Sequence, residues 1–312
     1  MGYQILVTGG AGYLGSTLVP ELLAASHKVT VLDNFLYNQN SLAHVCHHPG
    51  FEVVRGDVRI ESTVLPLLKK TDVVIPLAAY VGAPLCARDP VGATTTNHDA
   101  IVTMLKHATR SQRILMPTTN SAYGTGDANN HCTEESPLHP ISHYAIEKVK
   151  VERELMQHPS ATSFRLATVF GMSPRMRIDL LVNDFTYRAV HDRFVVLFEA
   201  HFKRNYIHVR DVARAFLHGI DNYDKTNGQI FNVGLSDANV SKRELCQIIR
   251  RQVPDFTFVE APIGKDPDQR NYIVSNAKIE ATGYKPQVSL DTGIRELIKG
   301  YTMLRNSVYG NV

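Results

Sequence analysis

The sequence lacks the features that mark secreted, membrane-spanning and metal-binding proteins. Its four cysteines, Cys46, Cys86, Cys132 and Cys246, show no paired spacing. Such cysteines are typical of free thiols in a reducing compartment, so we expect a cytoplasmic location. No apolar run approaches the roughly 20 residues that cross a bilayer, and we expect neither a membrane segment nor a signal peptide. The fourteen histidines are scattered without metal-ligand spacing, so we predict no metal site.

The chain also carries little net charge. The chain carries 33 Lys and Arg against 30 Asp and Glu, a formal net charge of +3 at pH 7, and its basic residues form no run. This balance argues against a nucleic-acid partner. The hydrophobic fraction of 44% is ordinary for a globular protein, and 312 residues suffice for one large domain or two joined ones.

The strongest pattern in the chain lies in its first fifteen residues. A short apolar strand, residues 4–8, runs into Gly9-Gly10-Ala11-Gly12-Tyr13-Leu14-Gly15, and helical apolar spacing follows over residues 16–23. The glycines at 9, 12 and 15 can supply a tight turn, close approach of the backbone to a pyrophosphate, and close packing of helix on strand. The helix N-terminus offers N–H groups and a positive dipole end to the same pyrophosphate. A plain glycine-rich turn is the alternative.

An acidic residue follows at the end of the second predicted strand. Residues 28–32 lead into Asp33, which lies about twenty residues beyond the glycine turn, where a dinucleotide fold places the acid that binds the adenosine ribose hydroxyls. A carboxylate there would repel a 2′-phosphate, so the sequence predicts NAD rather than NADP. An ordinary turn aspartate is the alternative.

The rest of the first half alternates strands and helices, which predicts an α/β fold with a doubly wound parallel sheet of the Rossmann type. Beyond Gly171 the pattern loosens, and we predict a smaller mixed α/β substrate-binding domain. The predicted cofactor domain covers residues 1–171 plus about 205–234, and the predicted cap covers about 172–204 and 235–312. Further strands are predicted at 51–55, 72–77, 113–117, 164–170 and 229–233, and helices at 97–109 and from residue 144.

Tyr144 and Lys148 lie four residues apart, so both side chains project from one face of the predicted helix. A free phenol has a pKa of about 10, some three units too high for a base at neutral pH. A nearby ammonium group and the positive nicotinamide ring favour the phenolate. The pair could therefore take a proton from a substrate hydroxyl while hydride leaves the same carbon, and Thr119 could hydrogen-bond that hydroxyl. Pairs with this spacing also arise by chance on surface helices.

With these residues in this order, the chain resembles an extended short-chain dehydrogenase/reductase of the NAD-dependent epimerase/dehydratase group, which acts on nucleotide sugars. The resemblance implies an NAD cofactor, a nucleotide-diphosphate sugar substrate and a homodimer built on helices 97–109 and 144–157. It implies catalytic roles for Thr119, Tyr144 and Lys148. It implies cofactor contacts for Gly9, Gly12, Tyr13, Leu14, Gly15, Asp33, Asn34, Asp57, Val58, Leu77, Ala78, Ala79, Asn97, Tyr144 and Lys148. It implies substrate contacts for Tyr80, Asn120, Ser121, Arg177, Asn183, Arg204 and Arg270, with Arg204 as the foremost phosphate ligand.

Departures from the family pattern narrow the expected reaction. In the 4,6-dehydratases an Asp and a Glu follow the catalytic Thr, whereas Asn120 and Ser121 follow Thr119 here. Neither can act as a carboxyl acid or base, which disfavours dehydration. The 3,5-epimerising relatives carry a Cys where this chain has Ser121, which disfavours that chemistry as well. The resemblance therefore implies epimerisation at sugar carbon 4. The alternatives are a carbon 4 dehydrogenase or ketoreductase acting on a GDP- or dTDP-linked hexose or heptose, and a catalytically silent NAD-binding scaffold.

Overall fold

Alternating strands and helices form the chain, as the sequence predicts. The computed structural model describes residues 2–125, 131–262 and 271–304. Within these ranges the elements are β1 (Gln4–Thr8), α1 (Gly15–Ala24), β2 (Lys28–Asp33), β3 (Phe51–Arg55), α2 (Glu61–Leu68), β4 (Val73–Pro76), α3 (Ala83–Arg88), α4 (Pro90–Thr94), α5 (Ala100–His107), β5 (Arg113–Thr119), β6 (His131–Cys132), α6 (His143–Leu155), β7 (Ala161–Leu166), β8 (Thr168–Phe170), α7 (Leu181–His191), β9 (Phe194–Leu197), β10 (Lys203–His208), α8 (Val209–Asp221), α9 (Tyr223–Thr226), β11 (Ile230–Val233), β12 (Asn239–Ser241), α10 (Lys242–Gln252), β13 (Thr257–Glu260), β14 (Ile273–Val274), α11 (Ala277–Ala281) and α12 (Leu290–Met303).

A parallel sheet of seven described strands forms the centre of the fold, in the order β11-β7-β5-β4-β1-β2-β3. The strand order reverses between β1 and β4. A crevice therefore opens there at the carboxyl ends of the strands, where ligands bind in open α/β sheets. The predicted α/β fold with a doubly wound parallel sheet is confirmed.

Apolar side chains cover both faces of this sheet, which is why its strands read as continuous hydrophobic runs. On one face, Leu18 and Leu22 of α1 share a core cluster with Phe216 of α8. On the other face, Met104 of α5 and Val151 of α6 belong to a second cluster. This second cluster fixes α6, the helix that carries Tyr144 and Lys148, on the sheet.

A third cluster lies outside the large sheet and joins α7, α10 and α12. It includes Phe185, Leu245, Ile249, Leu297 and Tyr301, all buried. Around it stand a sheet of β12, β10 and β8 and a pair formed by β13 and β9. None of the helices in the described ranges is long and apolar enough to cross a membrane. The division into a cofactor domain and a cap, and the homodimer, stay predictions.

Two predicted elements differ from those observed. The strand predicted over residues 164–170 is two strands: β7 pairs with β5 and β11 in the large sheet, whereas β8 pairs with β10. The apolar pattern runs through both strands, so it does not reveal the break at Ala167. The helix predicted from residue 97 is preceded by α4, and one π-helical segment, Thr95–Asp99, joins α4 to α5. The helix-start signal here is Asp89, whose Oδ1 accepts a hydrogen bond from Gly92 N (2.9 Å).

Candidate active site

A cavity of about 650 Å³ opens at the carboxyl ends of the central strands and continues between segments that follow β8. Most of the residues predicted for the site line it. These are Gly9, Gly12, Tyr13, Leu14, Gly15, Asp33, Asn34, Asp57, Val58, Leu77, Ala78, Ala79, Tyr80, Thr119, Ser121, Tyr144, Lys148, Arg177 and Arg204. Asn97, Asn120 and Asn183 do not line it, and Arg270 lies outside the described residues.

The glycine turn has the shape that a pyrophosphate requires. Gly9 has a positive φ of 68°, and a Cβ there would lie 2.6 Å from the backbone of Ala78. A Cβ at Gly15 would lie 2.4 Å from Gly10 O, so helix and turn pack too closely for a side chain. At Gly12 a Cβ would meet only Gly9 O, at 3.1 Å, because this position faces the cavity. The turn therefore offers bare backbone to the dinucleotide, and NAD fits these residues.

Asp33 presents a buried carboxylate at the end of β2. Its Oδ2 accepts a hydrogen bond from Ala11 N (3.0 Å) and its Oδ1 accepts one from Phe35 N (2.8 Å). Burial raises the pKa of this carboxyl group. The nearest cation on the neighbouring strand, Arg55, lies over the Phe35 ring at 4.9 Å from its centroid and does not line the cavity. A 2′-phosphate bound at this position would therefore meet the negative charge of Asp33.

We expect the protein to bind NAD(H) roughly 10- to 100-fold more tightly than NADP(H), the factor that a charge-assisted hydrogen bond represents. Asp33→Asn should reduce the difference in affinity between NAD(H) and NADP(H), because the amide carries no charge. Calorimetric titration of both proteins with both cofactors measures the effect. Equal or tighter binding of NADP by the unmodified protein would overturn the ribose role of Asp33.

Asp57, predicted to contact the cofactor, forms an ion pair with Arg59. Its Oδ1 accepts from Arg59 N and Nε (both 2.9 Å), and Arg59 Nη2 lies 2.6 Å from Oδ2. Hydrogen bonding by Arg59 lowers the pKa of the Asp57 carboxyl group. Asp57 does not cap α2, because Ile60 is the N-cap of that helix and no side chain bonds there. Sequence reasoning missed Arg59, which also lines the cavity.

Asn97 lies beneath the loop that follows β4. Its Oδ1 accepts from Tyr80 N (2.7 Å) and its Nδ2 donates to Tyr80 O (2.8 Å). The side chain is 1% exposed. The π-helical segment places this amide under the loop, so it holds Tyr80 at the cavity wall and does not reach the cavity itself.

The predicted catalytic residues meet at one wall of the cavity. Thr119 ends β5, and its Oγ1 donates to Ser121 Oγ (3.0 Å) and accepts from Ser121 N (3.1 Å). Tyr144 lies in the first turn of α6, where Ser142 Oγ accepts from Ala145 N (3.2 Å) and caps the helix. Capping fixes the start of α6, and with it the position of Tyr144.

Lys148 lies one helical turn beyond Tyr144 and is 4% exposed. Its Nζ donates to Pro117 O (3.2 Å), two residues before Thr119 in β5. Burial lowers the pKa of this ammonium group to about 8, an effect that the nearby Cys86 thiol partly offsets. Lys148 is therefore mostly charged at neutral pH. Its charge can favour the phenolate form of Tyr144.

Cationic side chains line the opposite part of the cavity. Arg177 pairs with Asp179, with Nη2 and Oδ2 2.5 Å apart, and Arg204 lies on β10. Lys242 also lines the cavity, and its Nζ donates to Phe198 O (2.7 Å). Sequence reasoning missed Lys242. A capping box at Ser241 marks the start of α10 but does not reveal that Lys242 reaches the cavity.

Two predicted substrate ligands are buried away from the cavity. Asn183 Oδ1 accepts from Gly171 N (2.9 Å), and its Nδ2 donates to Arg177 O (2.7 Å). It therefore holds the loop that carries Arg177. Asn120 is fully buried in the turn after Thr119.

Comparison with known proteins places these features in a family. Residues 5–234 match the model of the NAD dependent epimerase/dehydratase family. The chain is 29% identical to low-salt glycan biosynthesis protein Agl12 of Haloferax volcanii, over 96% of this chain and 98% of that protein. It is 27% identical to UDP-glucuronic acid decarboxylase 1 of Arabidopsis thaliana, over 96% of this chain and 69% of that protein.

Among solved structures, the UDP-glucose 4-epimerase of Thermotoga maritima with UDP-glucose superposes with a TM-score of 0.81. The two are 25% identical, over 96% of this chain and 99% of that one. The family's dependence on NAD confirms the predicted cofactor and enzyme class. The chain belongs to the NAD dependent epimerase/dehydratase family of nucleotide-sugar epimerases, dehydratases and decarboxylases.

Proposed function

We propose that the protein is a nucleotide-sugar epimerase that inverts carbon 4 through a 4-keto sugar. One observation carries the proposal: Thr119, Tyr144 and Lys148 line the same cavity as the glycine turn and Asp33. A sugar held beside this wall would place its hydroxyl near both the predicted base and the nicotinamide end of the dinucleotide.

Each of the three residues has a defined task in this reaction. Tyr144, as phenolate, accepts the proton of the carbon 4 hydroxyl, and Thr119 Oγ1 orients that hydroxyl. The positive charge of Lys148 stabilises the phenolate form of Tyr144. NAD, when bound, would accept the hydride of carbon 4 and would return it to carbon 4 from the opposite face of the 4-keto sugar. The 4-keto sugar first rotates so that its other face is turned towards the cofactor. Tyr144 then returns the proton to the oxygen of carbon 4, which becomes the new hydroxyl.

The positions of the carboxylates in the cavity argue against dehydration. Among the described lining residues, the carboxylates are Asp33, Asp57, Asp179 and Asp184, and none comes from the turn after β5 or from α6. Asp57, Asp179 and Asp184 are paired with arginines. A dehydratase needs an acid and a base beside the sugar in addition to the phenol, and the lining residue that follows Thr119 in the turn after β5 is Ser121, whose hydroxyl is neither.

The cationic region supports a nucleotide-diphosphate substrate. Arg204 and Lys242, both 4% exposed, line the cavity with Arg175 and Arg177. A planar guanidinium group can donate two parallel hydrogen bonds to two oxygens of one phosphate. We therefore propose that the diphosphate lies here, with Arg204 as its main ligand.

The runner-up function is a carbon 4 dehydrogenase or ketoreductase, which would use the same three catalytic residues.

A substrate screen tests the proposal. Ligands released from the purified protein are identified by mass spectrometry, and UDP-, GDP- and dTDP-linked sugars are then incubated with the protein and NAD. We expect an epimeric product without lasting absorbance at 340 nm. Accumulated NADH would identify a dehydrogenase, and loss of carbon dioxide from UDP-glucuronate would identify a decarboxylase. No turnover of any sugar would favour the silent scaffold.

A further inference from the structure

Two loops from different parts of the chain meet across the cavity. One loop, residues 34–40, follows β2 and carries Tyr37. The other, residues 171–177, follows β8 and carries Arg175. The guanidinium carbon of Arg175 lies 4.6 Å from the centroid of the Tyr37 ring, and both side chains line the cavity. We call this contact the clasp.

The Arg175 side of the clasp is fastened to the glycine turn and the first turn of α1. Ser173 Oγ donates to Tyr13 O (2.6 Å) and shares a hydrogen bond of 2.9 Å with Ser16 Oγ. Arg175 N also donates to Ser16 Oγ (3.2 Å), and Tyr13 Oη donates to Gly171 O (2.8 Å). Arg175 is 6% exposed. This half is therefore held rigidly beside the turn that is predicted to bind the pyrophosphate.

The Tyr37 side of the clasp depends on Asp33, the predicted ribose ligand. Asp33 Oδ1 accepts from Phe35 N (2.8 Å) and from Gln39 Nε2 (3.4 Å), and Gln39 Oε1 accepts from Tyr37 N (3.1 Å). The loop turns through positive φ angles at Phe35 (54°) and Asn38 (51°). Tyr37 is 39% exposed, so it is the half of the clasp with room to move.

We propose that the clasp retains the cofactor: Tyr37 and Arg175 close the cavity over bound NAD(H), and their contact must open before the dinucleotide can leave. The proposal rests on the proposed function in one respect, since an epimerase returns the hydride to its own substrate and need not release the cofactor between turnovers. A guanidinium group on the face of a partly exposed aromatic ring should slow opening by about 2- to 30-fold.

The test measures release of NADH without any sugar. NADH is bound to the full chain, excess NAD is added, and the fall in NADH fluorescence gives the release rate. Tyr37→Ala removes the ring, and Tyr37→Phe keeps it. Tyr223→Ala is the matched control, because Arg113 lies 3.9 Å from the Tyr223 ring centroid in a contact outside the cavity. Thermal unfolding of each variant shows whether the fold is intact.

We expect Tyr37→Ala to release NADH about 2- to 30-fold faster than the unmodified protein, with an unchanged melting temperature. Tyr37→Phe and Tyr223→Ala should release it at the unmodified rate. An unchanged rate for Tyr37→Ala, in a protein that binds NADH normally, would overturn the clasp. Failure of the unmodified protein to bind NADH would overturn the cofactor site together with the clasp. Failure to epimerise any sugar would affect only the proposed function, because this measurement uses no sugar.

Discussion

Replacing Tyr144 by phenylalanine should lower kcat by roughly a hundredfold to ten-thousandfold, the contribution of a general acid–base group. The variant removes one oxygen and keeps the ring, so α6 should pack as before. The sugar hydroxyl must then lose its proton unaided. NAD affinity should stay nearly unchanged. Initial rates with the best sugar from the screen, together with calorimetric titration of NAD, measure both quantities.

Tyr223→Phe is the control for this variant, because Tyr223 does not line the cavity. It should keep unmodified turnover. If Tyr144→Phe also keeps it, Tyr144 is not the base. Attention would then pass to the neighbouring His143, whose Nε2 lies 3.1 Å from Thr94 Oγ1, or to a thiol.

Lys148→Met is a second variant of the same machinery, and we expect a different pattern. It removes the charge that favours the phenolate and a predicted contact with the nicotinamide ribose. Both kcat and NAD affinity should fall. Its residual activity should rise with pH, because Tyr144 must ionise without help. A flat pH profile from neutral to alkaline pH would contradict the role of Lys148.

Replacing Glu152 by alanine should lower the free energy of unfolding by about 3–5 kcal/mol, because it leaves a buried arginine unpaired. Glu152 and Arg165 are each 4% exposed, and Arg165 Nη2 lies 2.6 Å from Glu152 Oε1. Glu152 Oε2 also accepts from Thr118 Oγ1 (2.8 Å) and Ser163 Oγ (2.7 Å). Urea unfolding followed by circular dichroism gives the change.

The carboxylate of Glu152 also ties α6, the helix that carries Tyr144 and Lys148, to β5. Lys148 contacts Pro117, Glu152 contacts Thr118, and Thr119 is the next residue. We therefore expect Glu152→Ala to lower kcat as well, at temperatures where the variant is folded. The control is Glu260→Ala, which breaks an exposed pair with Arg243 and should leave the free energy of unfolding nearly unchanged. If Glu152→Ala lowered the free energy of unfolding as little as Glu260→Ala does, the structural role of Glu152 would be contradicted.

The sequence reveals the parts of the site whose chemistry is local. The glycine turn and Asp33 lie within one strand-turn-helix-strand unit, and Tyr144 and Lys148 are one helical turn apart. Neighbouring residues therefore suffice to predict them. The large sheet can also be predicted from the sequence, because buried parallel strands leave continuous apolar runs.

Contacts between distant segments are not visible in the sequence. Asn97 and Asn183 hold loops instead of lining the cavity, because the chain folds Tyr80 and Arg177 over them. Lys242 and Arg59 reach the cavity from helix and loop positions that look solvated in the sequence. Positions of this kind depend on tertiary packing and leave no local pattern.

In the proposed reaction, carbon 4 of the sugar is oxidised and then reduced on its other face within one active site. A nucleotide sugar carrying deuterium at carbon 4 tests it most directly, by mass spectrometry and proton NMR of the product. We predict an epimer that keeps its deuterium at carbon 4, with none passing to solvent. Deuterium lost to water, or recovered in stoichiometric released NADH beside a 4-keto product, would contradict the proposal.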